Sequence, residues 1–131
     1  MAIRVVQLGS PREAGEGLRL GTVRRPPRGV PKAEFASRDY YDTWLPALSP
    51  SADLMKDGQA AQADGSDKAW SAFATKFRKE LAAPDVARLL DLLAGLSRQT
   101  DFSLGCYCDD EARCHRSVLR EELAARGAQF R

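Results

Sequence analysis

Apolar positions along the chain follow two periods. Ile3-Arg-Val-Val-Gln-Leu8 and Leu18-Arg-Leu-Gly-Thr-Val23 are short runs rich in branched side chains. They are cut off by Gly9-Ser-Pro11 and by the proline-rich Arg24 to Pro31 stretch, which predicts two early strands. Further on, Trp70, Phe73, Ala74, Phe77 and Leu81 recur at helical spacing and fall on one face. Pro84 suits the first turn of a second helix, whose Val86, Leu89, Leu90, Leu93 and Leu96 repeat the pattern. Phe102-Ser-Leu-Gly-Cys-Tyr107 alternates apolar and small residues as a buried strand does, and Ser117 to Arg126 reads as a helix closed by Gly127. Residues 32–66 hold no sustained period, and Lys56 to Ser66 reads as a mobile exposed loop.

Strands followed by helices and then a late strand predict a single α/β domain over residues 1–131, a small three-layer unit with a mainly parallel sheet flanked by helices. A length of 131 residues with 44% hydrophobic content agrees with one domain and one core. The formal net charge of +2, from 20 basic and 18 acidic residues, is nearly balanced and argues against a dedicated nucleic-acid protein. No apolar run of about 18 residues is present for a membrane span, and the N-terminus lacks a signal-peptide pattern. A cytoplasmic protein without a membrane partner is expected. The cysteine count, 3, is odd and the cysteines are closely grouped, unlike a disulfide framework, so they read as reduced.

Chemistry is concentrated in Cys106 to Arg116, which holds every cysteine and the only histidine. A strand end, an acidic loop and a helix start carry it, the place where open α/β sheets put ligands. Cys106, Cys108, Cys114 and His115 are zinc-compatible ligand types, but adjacent helical residues 114 and 115 should diverge by about 100°, so no metal is expected. Cys114 in the first helical turn, near Arg113, His115 and Arg116, suits a thiolate or a redox pair with Cys106, opposed by Asp109, Asp110 and Glu111. As a bland alternative, Cys106 is a small apolar residue of a buried strand. His115 and Arg116 can instead bind a small anion, joined by Arg24 and Arg28 if the second strand runs parallel to the last. Arg24, Arg25, Arg28 and Lys32 on phosphates, with Tyr40, Tyr41 and Trp44 stacking on bases, make up a nucleic-acid reading, ranked third. Trp44 is more simply the anchor of its loop.

A family resemblance rests on several motifs in order: Arg19, Pro27-Arg28-Gly29-Val30 with Lys32, Asp42-Thr-Trp44-Leu45, and Leu48-Ser-Pro-Ser51 with Leu54. Trp70, Phe73, Phe77, Glu80 and Leu81 follow, then the strand-loop element ending in Cys114-His115-Arg116. Together they resemble the YeaO-like family, domain of unknown function 488. The resemblance implies a compact α/β fold and carries no established activity. Some members are labelled porphyrin methyltransferases, yet no glycine-rich loop for a methyl donor is visible, and no cofactor is expected. Where the family motif tends to read Val-Asp-Arg-Leu-Trp-Pro-Arg-Gly, this chain has Thr22-Val-Arg-Arg-Pro-Pro-Arg-Gly29, so Val23 and Pro26 replace an acid and a tryptophan. Relatives with Asn-His at Cys114-His115, or an aromatic at Cys106, make His115 the more transferable member. The leading expectation is a small anionic molecule bound, with transformation as an extension of that reading, between the 24–31 loop and Cys106 to Arg116. His115 would be the acid/base group, Arg28 and Arg116 the anion clamps, Arg24 and Cys106 further lining, and Cys114 an optional thiol. A thiol redox protein or sensor is the alternative.

Overall fold

The computed structural model describes residues 1–131. Its strands are β1 (Ile3–Gln7), β2 (Leu18–Gly21), β3 (Thr43–Trp44) and β4 (Phe102–Cys106), all paired in parallel. They lie in the order β1-β4-β2-β3, so the last strand is inserted between the first two. Ile3 stands opposite Phe102 and Gln7 opposite Cys106 on one side, Leu18 opposite Phe102 and Gly21 opposite Gly105 on the other. With neighbours on both edges, every residue of β4 is buried, which accounts for a strand free of charged side chains.

The helices are α1 (Ala52–Asp64), α2 (Asp67–Leu81), α3 (Pro84–Leu96) and α4 (His115–Ala125). Their apolar stripes, among them Phe77, Leu81, Leu90, Leu119 and Leu123, join Ile3, Leu20, Phe102 and Leu104 in one core. Residues in parallel register point to the same side of a sheet, so these four strand positions define its helix-covered face. Chain without regular structure covers the opposite face. There the fully buried Arg19 forms a bidentate pair with Glu16 at 2.8 and 2.9 Å and donates to the carbonyls of Ser10 and Asp39. Tyr41 lies over Gly21, where a Cβ would meet its ring at 2.4 Å. The α/β class and the parallel sheet hold as expected; the third layer is made of loops instead of helices.

Two local expectations are corrected. The 56–66 segment, read as an exposed loop, is helical as far as Asp64, capped by the Ser51 side chain at its start and by Gly65 at φ 75° after its end. Its buried face consists of Leu54, Gly58 and Ala61, too small to show as an apolar stripe. Helix α4 begins at His115, two residues earlier than its polar-apolar pattern suggests. No helix is long and apolar enough to cross a membrane.

Candidate functional site

Strands β2 and β4 are adjacent and parallel, so their carboxyl ends share one edge of the sheet. Thr22, just past β2, ties the two exits together: its N–H and its hydroxyl both donate to the Gly105 carbonyl at 2.9 Å. The Thr22 carbonyl in turn accepts from His115 Nε2 at 2.6 Å. A carbonyl only accepts, so the histidine proton sits on Nε2 and Nδ1 keeps its lone pair, 3.7 Å from Cys114 Sγ. Burial pushes His115 down to about 4 despite the Thr22 contact, so its ring is neutral at physiological pH. Phe77 packs edge-on against the imidazole at 5.8 Å.

The thiols lie beside it. Cys106 and Cys114 are both 1% exposed, with their sulfurs 2.7 Å apart. Cys108 is half-buried, packs against the same cluster and accepts from Gln62 Nε2 at 3.7 Å. The neighbouring Cys106 and Cys114 thiols hold the Cys108 thiol well below its usual range. The neighbouring Cys108 and Cys114 thiols, reinforced by burial, push Cys106 up. The Cys106 contact favours a Cys114 thiolate, but the nearby Cys108 thiol and burial outweigh it and leave Cys114 raised. Of the three thiols, the half-buried Cys108 is therefore the one whose surroundings favour the thiolate form.

The expectation that Cys114 and His115 diverge fails for a specific reason. Cys114 is not in the helix; it caps α4 with extended backbone at φ −119° and ψ 152°. The helical rotation between neighbours therefore does not apply to this pair, and the ligand-type atoms of Cys106, Cys114 and His115 all lie within 4.8 Å of one another. Arg116, expected as an anion clamp, is turned inward instead. It is 3% exposed, donates from Nη2 to the Cys108 carbonyl at 2.6 Å, and leaves Nε without a partner. Burial disfavours its charge, but the neighbouring thiols more than compensate.

A cavity of about 870 Å³ opens above this floor, within the range of small-molecule sites. Cys106, Cys108 and His115 lie at its base, the Val23–Arg28 loop forms one wall, and Gly58, Gln59 and Gln62 of α1 with Trp70 and Phe73 of α2 form the other. Of the residues expected from the sequence, Arg24, Arg28, Cys106 and His115 line this one space, whereas Arg116 and Cys114 do not. Arg24 spends its guanidinium on the Ser49 and Pro50 carbonyls, both at 3.1 Å. The basic loop is further held by Trp44 Nε1, which donates to the Val23 carbonyl at 2.7 Å, and by the Tyr107 hydroxyl, which donates to the Arg25 carbonyl at 2.8 Å. The α1 and α2 wall was not anticipated. Its one signal was Trp70 at the end of the α2 stripe, half-buried where a core residue would be covered.

Comparison with known proteins adds family membership. The family model described as "Active DUF488-N3 subclade" matches residues 3–127. No curated protein and no solved structure matches the chain. The matched span takes in the basic loop, both cavity walls and the Cys/His floor, and the chain accordingly belongs to the DUF488, YeaO-like, family.

Proposed function

We propose that the cavity binds a small molecule with a flat apolar portion and an anionic group. The carrying observation is that Arg28 and His115, far apart in the chain, line the same cavity. Arg25 and Arg28 are both exposed on the loop wall, with planar forks suited to phosphate or carboxylate. Opposite them Trp70 and Phe73, with ring centroids 5.0 Å apart, offer an aromatic face to the rest of the ligand. The Cys108 sulfur and the His115 ring then border the bound molecule, and the word "active" in the matched description supports a chemical use of that floor. Free cysteines suit a reducing cytoplasm. Nucleic acid gains no support, because Arg24 is occupied by backbone carbonyls.

A fluorescence titration with 1-naphthyl phosphate tests the reading, with uncharged 1-naphthol as the control. Arg28→Ala should weaken the phosphate about tenfold, the equivalent of one charge-assisted hydrogen bond, and leave naphthol binding unchanged. Equal affinity of wild type and variant for the phosphate would sink the proposal. A second reading, a redox pair, is favoured by the Cys106 to Cys114 sulfur distance of 2.7 Å. Mild oxidation followed by peptide mapping should then yield that bridge in preference to any involving Cys108.

A further inference from the structure

We propose that Cys106, Cys114 and His115, whose ligand atoms lie within 4.8 Å of one another, bind a zinc-type divalent cation at the floor of the cavity, and that Cys108, which packs against the same cluster but outside this group, shifts inward to close the fourth position. Thiolate and imidazole are the ligand types that such an ion prefers. In a tetrahedral site with Zn–S of about 2.3 Å and Zn–N of about 2.0 Å, neighbouring ligand atoms stand about 3.4–3.8 Å apart. The Cys114 Sγ to His115 Nδ1 distance of 3.7 Å is already such an edge. The Cys106 to Cys114 distance of 2.7 Å is shorter and has to open by about 1 Å to admit the ion.

Two further features point to a cation. Metal-bound histidines commonly give their other ring N–H to a carbonyl or carboxylate, which fixes the tautomer and aims the lone pair. The His115 Nε2 contact with the Thr22 carbonyl at 2.6 Å does this, and it leaves Nδ1 facing sulfur. The second feature is Arg116. A buried guanidinium ordinarily has a carboxylate partner, yet this one has only the Cys108 carbonyl and an orphaned Nε, next to the cysteine cluster. Three thiolates around a divalent ion leave one net negative charge, which Arg116 neutralises. Each cysteine that joins the ion releases its thiol proton to solvent; no electron transfer is involved.

The inference stands apart from the anion reading, since none of its ligands is a loop arginine. Protein produced in zinc-supplemented medium and purified without chelator should contain about one zinc per chain by elemental analysis, and Cys114→Ser and His115→Gln should lose it. Arg28→Ala should keep the metal while losing naphthyl phosphate affinity, which tells the two proposals apart. A serine at a buried position can unfold the chain, so the deciding measurement uses the unaltered protein. Cobalt(II) added to stripped, reduced protein should give a thiolate-to-cobalt absorption that saturates at about one equivalent and is displaced by zinc. Cys108→Ser, at the half-buried position, should lower that band, and an unchanged band removes Cys108 from the ligand set. Absence of both stoichiometric zinc and the cobalt band overturns the site.

Discussion

At Arg19 the alternation of a strand and the burial of a charge pull in opposite directions. In Leu18-Arg-Leu the arginine occupies the position that a half-exposed strand gives to solvent, but it is fully buried. Loop closure supplies what makes this tolerable: the Glu16 fork and two carbonyls satisfy the guanidinium, while the Ser103 hydroxyl donates to Glu16 at 2.9 Å. Burial pushes the Glu16 carboxyl up, but Arg19 and Ser103 more than reverse this and bring it from 4.5 down to about 2. A carboxyl lowered on folding stabilises fully above its unfolded value, and the contribution disappears as pH falls through the folded value. A shift of this size corresponds to about 3 kcal/mol, lost across the interval from roughly pH 4.5 to pH 2. Urea unfolding of wild type and Glu16→Gln should show a gap of about 3–5 kcal/mol near neutrality that narrows through this interval. A gap that stays constant as acid is added would refute the assignment. None of this pairing was legible in sequence, because it needs a turn to bring residue 16 under β4.

Elements were legible where their buried face is large. The stripes of α2 and α3 and the uncharged run of β4 announce themselves because each buries long apolar side chains. Helix α1 does not, since Gly58 and Ala61 occupy its packed face. The reason for the glycine is steric: a Cβ there would lie 2.8 Å from Phe73 Cε2. Phe73 cannot readily yield, being held between Trp70 at 5.0 Å and Phe77 at 6.0 Å. Close approach of α1 and α2 is therefore bought by the missing side chain. Gly58→Val should lower stability by about 1–3 kcal/mol, the usual range for overpacking, and hydrogen exchange should localise the loss of protection to residues 52–64. An unchanged melting temperature with full protection of α1 would mean that the helix pair separates freely. Strand β3, only Thr43–Trp44, was likewise not foreseen, because two residues carry no period.

For the molecule as a whole, the candidate site is a seam between a sheet edge, a loop and a helix pair, and only part of that seam could be read in advance. Parallel strands with adjacent carboxyl ends were enough to place Arg28 and His115 on one side of the sheet. The inward turn of Arg116 depends on the extended backbone of Cys114, and the second wall on a helix hidden by small residues; neither leaves a mark in the spacing of side chains. The basic loop has no ladder or helix of its own between Thr22 and Pro31, so its shape depends on side chains donating to its carbonyls. Trp44 is informative because it is 44% exposed, lies outside the cavity, and touches the loop through Nε1 at 2.7 Å. Trp44→Phe keeps an aromatic at this position and removes one hydrogen bond, worth about 1 kcal/mol, from the wall that presents Arg25 and Arg28. The affinity for 1-naphthyl phosphate should fall about fivefold while the zinc content and the urea midpoint stay close to wild type. If affinity is retained, the remaining tethers from Tyr107 and His115 suffice to hold the wall. If the midpoint collapses with it, Trp44 belongs to the core and not to the positioning of the site.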